Sequence, residues 1–298
     1  VPSIWSVGET IDYMRDDPDV PEDFYGLFVV GPDNKPAGVV MTSCLLRSHR
    51  PVAVSDIMEP EIRLIPAAMD QEDVAFLFRQ YGLVEAPVVD EYGRIIGVIT
   101  VDDVVDVIDE EHEEDMLKLG GVAVDDLYEA VADTIKSRLS WLFLNLLTAI
   151  LASIVIGFFQ AEIEKVVALA VLMPIVASMG GNAGTQTLTV AVRALAMKEL
   201  TPSNALRIVG KEVLVGGVNG IVFAIVMGAI AYFWFGGLLT GIAMIVNLLV
   251  AGLAGILIPL AIDRAGADPA VGSSIVLTTV TDVLGFLCFL GLASVVLL

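Results

Sequence analysis

The sequence predicts a multi-domain fold in which an α/β domain is followed by an all-α domain of five transmembrane helices. Three observations lead to this prediction. The chain is 56% hydrophobic and still carries a net charge of −21, a combination that an ordinary soluble domain does not show. Thirty of the 37 acidic residues precede Ser137, so the charge and the apolar stretches lie in different halves. The acidic half, in addition, contains an internal repeat.

The repeat in the acidic half has an offset of 59 residues. Residues 29–40 and 88–99 each read as a strand, a polar turn and a second strand that contains a glycine. An amphipathic helix is predicted before each copy, at 7–15 and at 71–81. The second copy has an opening segment for which the first copy shows no counterpart. We therefore expect part of the first copy to precede Val1.

The second half contains five apolar stretches of about 20 residues, each long enough to cross a bilayer. Six of the seven basic residues in this half fall in loops on one side of the predicted membrane, and only Lys165 falls on the other. By the positive-inside rule, the acidic domain is predicted to lie in the cytoplasm and Leu298 outside. The predicted spans are residues 141–161, 166–192, 213–235, 238–262 and 271–298.

The second span contains a proline and a pair of glycines, which predict a break in its helix. Pro174 has no backbone N–H to donate, and Gly180 and Gly181 weaken the helix further. Irregular backbone at membrane depth is tolerated where protein or a water-filled cavity covers it. Its carbonyls, with the amides of Asn182 and Gln186, are oxygen ligands of the kind that Mg²⁺ and Ca²⁺ prefer. Close helix packing through small residues is the alternative interpretation.

The fifth span carries a single carboxylate, Asp282, in an otherwise apolar helix. At about 100° per residue, Thr278 and Ser274 lie on the same side, one and two turns before it. An intramembrane carboxylate is costly and usually marks an ion or proton pathway. The sequence places no lysine or arginine at a comparable depth, so a cation is the natural partner. The alternative is a protonated or hydrogen-bonded aspartate with a structural role.

Acidic residues also border the predicted membrane domain on its cytoplasmic side. Asp268 precedes Pro269 at the start of the fifth span, where it can act as an N-cap and also as a carboxylate at the cytoplasmic mouth. Residues 101–115 predict an amphipathic helix whose outer face is dense in mutually repelling carboxylates. Divalent cations would relieve this repulsion, although a solvated face is the commoner meaning of such a run. A helix at about 125–138 is predicted to lead into the first span.

These features together resemble the MgtE family of magnesium channels. The resemblance rests on the string from Pro174 to Gln186, on the string from Thr278 to Gly285, and on a repeat similar to a tandem pair of CBS modules. The acidic helical domain that usually precedes the CBS pair in this family is not found in the sequence. The resemblance implies a tandem CBS regulatory domain with modules at 1–51 (incomplete) and 52–115, a linker (plug-type) helix at 116–137, and a transmembrane pore domain at 138–298.

The resemblance implies a homodimer in the lipid bilayer of the cell membrane, with one pore on the twofold axis lined by spans two and five. Mg²⁺ is the expected ion, and cytosolic Mg²⁺ is expected to close the pore by bridging acidic residues. Because CBS pairs can bind adenine nucleotides, such a nucleotide is a candidate ligand. The residues implied are Asp282, Thr278, Ser274, Gly180, Gly181 and Asn182 in the pore, Asp268 at the cytoplasmic mouth, and Glu72, Asp103, Asp106, Glu111, Glu114 and Asp115 in regulation.

Other functions remain open on the residues alone. A proton- or sodium-coupled transporter, in which Asp282 titrates, would use the same span, and the ion could be Mn²⁺, Co²⁺ or Ca²⁺. A CBS-regulated membrane enzyme or receptor is disfavoured, because the sequence shows no nucleophile–base pair, phosphate-binding loop, HExxH or CxxC motif. Nucleic acid is not an expected partner, since a strongly acidic surface repels it.

Overall fold

The computed structural model of the chain describes residues 1–18, 20, 24–122, 130–201, 203–235 and 239–297. These residues form two compact units, Val1–His112 and Glu113–Leu298. The first unit contains strands and helices, and the second is helical. The predicted succession of an α/β part and an all-α part is therefore confirmed.

The first unit contains two copies of a helix–hairpin arrangement. In the first copy the elements are α1 (Val7–Asp16), β1 (Gly26–Val30), β2 (Pro36–Met41) and α2 (Thr42–Arg47). In the second copy they are α3 (Val54–Ile57), β3 (Ile65–Pro66), α4 (Gln71–Tyr81), β4 (Glu85–Val89), β5 (Ile95–Thr100) and the start of α5 (Val101–Gly120). Both amphipathic helices and both hairpins lie where the repeat predicts them.

The two hairpins share their irregularities as well as their strands. The antiparallel pairing of β1 with β2 shifts register after Val29, and that of β4 with β5 shifts after Val88, at the equivalent position of the repeat. Each connecting turn contains a residue with positive φ, Asn34 at 57° and Gly93 at 78°, and these two positions are also equivalent. Asparagine and glycine are the residues that tolerate this conformation best. The repeat thus extends to backbone detail.

Each copy also has its own apolar core and its own helix caps. Ser6 and Glu9 form a capping box at the start of α1, while Asp70 caps α4, which ends at Gly82 with a φ of 61°. The first core consists of Val7, Val29, Val40 and Leu45 of the first copy, completed by Val54 of α3 from the second copy. The second consists of Ile65, Val74, Ala75, Phe78, Ala86 and Val104.

Among the described residues of the second unit, five helices are long and apolar enough to cross a membrane, which confirms the predicted number. They are α6 (Val131–Gly157), α8 (Ala168–Ala196), α9 (Ala205–Phe235), α10 (Leu239–Arg264) and α11 (Ser273–Leu297). The short helix α7 (Gln160–Lys165) follows α6.

Helix α10 lies at the centre of this unit and packs against α8, α9 and α11. Its contact with α9 is a backbone contact: a Cβ added to Gly216 would lie 2.8 Å from the carbonyl oxygen of Leu248, and one added to Gly241 would lie 2.7 Å from that of Ala224. Small residues allow such an approach between membrane helices. Helix α6 packs against α11 and leaves most of its apolar side chains exposed, as expected of a surface that faces lipid.

The predicted break in the second span is wrong. Helix α8 runs without interruption from Ala168 to Ala196, with Pro174 inside it. Because Pro174 stands near the start of the helix, it deprives only the carbonyl of Ala170 of its donor. Gly180 serves close packing instead of unwinding, since a Cβ added there would lie 2.2 Å from Nδ2 of Asn247 on α10. The alternative interpretation of this segment is therefore the correct one for Gly180.

The helices that lead into the membrane unit also differ from the prediction. The acidic helix α5 extends to Gly120, and α6 begins at Val131 and continues through the first span without interruption. Residues 123–129, which include the start of the predicted helix at 125–138, lie outside the described residues. The predicted boundary followed hydropathy alone, whereas residues 131–140 contain no proline or glycine that would end a helix.

Candidate functional site

The polar stripe predicted on the fifth span is present on α11. Thr278 is exposed, while Ser274 and Asp282 are half-buried. Thr278 Oγ1 donates its proton to the carbonyl oxygen of Ser274 at 2.8 Å, which leaves the lone pairs of the hydroxyl available to a ligand. Within the part of the chain that the structure describes, no residue forms a hydrogen bond or an ion pair with the Asp282 carboxylate. The stripe therefore offers oxygen acceptors and negative charge at membrane depth.

Helix α8 carries a second polar stripe, which is exposed on the single chain. Ser178, Asn182 and Thr185 follow one another at helical spacing, with Nδ2 of Asn182 3.5 Å from the Ser178 hydroxyl. Thr185 Oγ1 donates to the carbonyl oxygen of Gly181 at 2.9 Å, so Thr185 also turns oxygen lone pairs outward. In a membrane, polar groups of this kind need cover from protein or water.

The two helices that carry these stripes are in contact. A Cβ added to Gly184 would lie 2.9 Å from Cδ1 of Leu277. Of the predicted pore residues, Asn182 and Thr278 are exposed, Gly181 is half-buried, and Gly180 is buried against Asn247. From the sequence, Asn247 is predicted only as a packing or interfacial polar group, and an asparagine inside an apolar span was the available signal for more.

The carboxylate at the predicted cytoplasmic mouth is paired with a lysine. Lys118 Nζ lies 2.8 Å from Asp268 Oδ2 and 2.6 Å from Glu114 Oε1. Partial burial lowers the pKa of Lys118, but hydrogen bonds and charge from the two carboxylates outweigh it, so the pKa is raised above its ordinary value. Lys118 is therefore charged throughout the physiological pH range. This pair was not predicted from the sequence, in which the spacing of Glu114 and Lys118 on one helix was the available signal.

Asp268 itself differs from one prediction. It is not the N-cap of the last helix, because α11 begins only at Ser273, after Gly272 with a φ of 78°. Asp268 Oδ1 instead accepts the backbone N–H of Ala270 at 2.8 Å. Its carboxylate thus orders the loop before α11 with one oxygen and binds Lys118 with the other.

The remaining acids predicted to regulate the pore are spread over α4 and α5. Asp103 Oδ2 accepts the backbone N–H of Thr100 at 3.1 Å and its hydroxyl at 2.8 Å. Glu111 accepts a hydrogen bond from Gln71. Glu72 and Asp106 are exposed, and Asp115 is half-buried. Among the described residues, no three His, Cys, Asp or Glu side chains converge to form a metal site.

The first unit contains a cavity of about 590 Å³ between its two copies. Tyr25 and Thr42 line it from the first copy, and Arg63, Tyr81 and Glu85 line it from the second. The Arg63 guanidinium stands over the Tyr81 ring, 4.2 Å from its centroid. Burial raises the pKa of Glu85, although the backbone N–H groups of Tyr25 and Gly26 lower it in part. Aromatic, cationic and hydroxyl groups thus converge on one space.

Comparison with known proteins agrees with this architecture. Residues 173–292 match the MgtE family, described as a divalent cation transporter, and residues 54–110 match the CBS domain. The fold and these matches define the chain as a membrane protein with a CBS-type domain.

The similarity of this chain to known proteins identifies its family. The chain is 34% identical to the magnesium transporter MgtE of Enterococcus faecalis, covering 94% of this chain and 63% of that protein. It is 33% identical to the magnesium transporter MgtE of Thermus thermophilus, covering 98% of this chain and 66% of that protein. The chain therefore belongs to the MgtE family, as its two membrane motifs predicted. It spans about two thirds of the length of these relatives, whose names are those of transporters and not of enzymes.

Among solved structures, the cytosolic domain of the Mg²⁺ channel MgtE in complex with ATP is 34% identical to this chain. The similarity covers 36% of this chain and 43% of that chain, with a TM-score of 0.34.

Proposed function

We propose that this chain conducts Mg²⁺ across the cell membrane as a homodimeric channel, with Asp282 in the pore. The observation that carries the proposal is the Asp282 carboxylate, half-buried at membrane depth and without a hydrogen bond or ion pair to any described residue. A carboxylate in this environment is costly unless a cation compensates it. Membership of the MgtE family supports Mg²⁺ as that cation, since the relatives are named as magnesium transporters.

The chemistry of the stripe on α11 suits a hydrated ion. Mg²⁺ loses water reluctantly and is commonly held through its water shell. The Asp282 carboxylate and the Thr278 hydroxyl can accept hydrogen bonds from that shell without displacing it. Uptake then needs no ATP, because an inside-negative potential contributes about 2.3 kcal/mol per elementary charge per 100 mV.

The exposed stripe of α8 supports a dimer. In a single chain, Ser178, Asn182 and Thr185 would face lipid, which does not satisfy polar groups. A second copy related by a twofold axis would cover this face and bring a second Asp282 to the same path. Two carboxylates would match the charge of one Mg²⁺. The distribution of basic residues supports a cytoplasmic N-terminal domain and an external C-terminus.

Regulation by cytosolic Mg²⁺ forms part of the proposal. In the closed state, Mg²⁺ bridges carboxylates of the acidic region, among them Glu72, Asp103, Asp106, Glu111 and Asp115. Lys118 also contributes, because its contacts with Glu114 and Asp268 join the end of α5 to the loop before α11. At low Mg²⁺ the carboxylates repel one another and the mouth opens. The ion must therefore bind the closed state more tightly than the open state.

Limited proteolysis tests this regulation. Mg²⁺ is expected to protect residues 100–136 of the full chain from cleavage, because bridged carboxylates hold this region in one arrangement. The control is choline chloride at the same ionic strength, which screens charge without bridging carboxylates. Cleavage that does not change with Mg²⁺ would contradict the proposed gating.

An adenine nucleotide is proposed as the ligand of the cavity in the first unit. Tyr25 and Tyr81 offer rings for stacking, Thr42 offers a hydroxyl, and Arg63 offers a cation for phosphate. Tyr81→Ala is expected to weaken ATP binding by about tenfold or more, because stacking of a base on an aromatic ring is worth about 1–3 kcal/mol. Isothermal titration with ATP measures the change.

Tyr92→Ala is the matched control for this variant, since Tyr92 is exposed on the second hairpin turn and does not line the cavity. Its affinity for ATP is expected to equal that of the wild type. Equal ATP affinity in the Tyr81 variant and the wild type would exclude stacking on this ring.

A further inference from the structure

Asn247 on α10 is a buried polar residue between the two helices that carry the polar stripes. Its side chain is 1% exposed. Its Nδ2 donates to the carbonyl oxygen of Val176 on α8 at 2.6 Å, whereas its Oδ1 is buried without a hydrogen-bond partner among the described residues. A buried polar atom without a partner lowers stability, so packing alone would favour an apolar residue here. The presence of an asparagine at this buried position therefore needs a reason other than core packing.

The neighbours of Asn247 are the glycines of the two membrane motifs. A Cβ added to Gly180 of α8 would lie 2.2 Å from Nδ2 of Asn247, and one added to Gly285 of α11 would lie 3.0 Å from Oδ1. The carboxamide thus fills the space that these two glycines leave open. Gly285 is one turn beyond Asp282, and Gly180 is two residues before Asn182. The Asn247 side chain therefore lies between α8 and α11, next to the residues of both polar stripes. We call this side chain the wedge.

We propose that Asn247 is a positioning residue that sets the spacing of α8 and α11, and thereby the width of the cation path past Asp282. The hydrogen bond from Asn247 to the carbonyl oxygen of Val176 fixes α8 against α10. The carboxamide of Asn247 also fills the space next to Gly285 and so keeps that face of α11 from moving closer. This role rests on the proposed function, because it assumes that both helices border the path. The consequence is selectivity: a path fitted to a hydrated ion discriminates by the size and binding strength of the water shell.

The test compares two ions in the same vesicles. Full-length wild type and Asn247→Ala are reconstituted, and the fluxes of Mg²⁺ and Ca²⁺ are measured together with the thermal unfolding temperature. The variant removes the wedge, so the ratio of Mg²⁺ flux to Ca²⁺ flux is expected to fall by about threefold or more. A residue that only stabilises the core would lower the unfolding temperature and scale both fluxes equally. An unchanged ratio therefore overturns the proposal.

Asn145→Ala is the matched control. Asn145 Nδ2 also donates to a backbone carbonyl, that of Trp141 at 3.1 Å, but within its own helix α6. The variant loses the same kind of hydrogen bond without changing any spacing between helices. Its flux ratio is expected to equal that of the wild type, and a ratio that falls as in Asn247→Ala would overturn the proposal.

Two further variants keep the test decisive if Asn247→Ala does not fold. Gly285→Ala adds a methyl group 3.0 Å from Oδ1, which a small shift accommodates, and it is expected to change the flux ratio without loss of folding. Gly180→Ala is expected to reduce the ion flux, because the added methyl group would clash with Nδ2 of Asn247. The double variant Gly180→Ala with Asn247→Ala is expected to recover part of that flux. An unchanged ratio in Gly285→Ala, or the absence of any rescue, overturns the role of the wedge.

The outcomes separate the two proposals. A wild type that moves neither ion overturns the proposed channel function, and the positioning role falls with it. A wild type that conducts Mg²⁺, combined with an unchanged flux ratio in the variants, overturns the positioning role alone.

Discussion

Asp282→Asn is expected to reduce the Mg²⁺ current by more than about tenfold, because it removes the charge that attracts the ion at membrane depth. At a separation of about 5 Å and an effective dielectric constant of about 20, a carboxylate and a divalent cation interact by several kcal/mol. Asparagine keeps the size and the hydrogen-bonding capacity of the side chain. The expected loss of current would therefore reflect the missing charge and not altered packing, since no described residue forms a hydrogen bond or ion pair with the carboxylate.

The measurement is the Mg²⁺ current through full-length protein in planar bilayers, with dye-based uptake into vesicles as a second readout. Asp263→Asn is the matched control, because Asp263 is an exposed carboxylate at the end of α10, away from the stripe on α11. It removes the same charge and is expected to conduct like the wild type. Equal currents in Asp282→Asn and the wild type would remove Asp282 from the path.

Lys118→Met is expected to raise the current by about tenfold at a cytosolic Mg²⁺ concentration that closes the wild-type channel. In the proposed closed state the Lys118 ammonium bridges Glu114 and Asp268, and a hydrogen bond to a charged group contributes about 1.5–3 kcal/mol. Methionine has a similar length and no charge, so the two carboxylates would face each other uncompensated. The current at that closing Mg²⁺ concentration on the cytoplasmic side measures the effect.

Asp268→Asn should reproduce this effect, and the double variant should exceed neither single variant by much, because both changes break the same contact. Lys136→Met is the matched control, since Lys136 is exposed near the start of α6. If Lys118→Met and the wild type carry equal currents at the Mg²⁺ concentration that closes the wild type, the contact with Asp268 does not belong to the gate.

The elements that the sequence predicted well are those set by local pattern. The offset repeat predicted both hairpins, and the structure extends it to a shared register shift and to positive φ at Asn34 and Gly93. Five apolar stretches predicted five membrane helices because length and hydropathy decide whether a helix can cross a bilayer. The polar stripe of Thr278 and Asp282 followed from the helical period alone.

The features that the sequence did not predict depend on contacts between helices distant along the chain. Gly180 breaks a helix or permits close packing according to what stands opposite it, and Asn247 lies 67 residues further on. Lys118 likewise meets Asp268 only in the folded second unit. Local propensity does not contain this information, since tertiary packing overrides it.

The reversal potential of the wild-type current tests the channel proposal most directly. With a Mg²⁺ gradient across a planar bilayer, the current is expected to reverse at the Mg²⁺ equilibrium potential and to stay there when the pH or the Na⁺ concentration is changed on one side. A reversal potential that moves with the proton or sodium gradient would contradict the account and would indicate a coupled transporter in which Asp282 titrates.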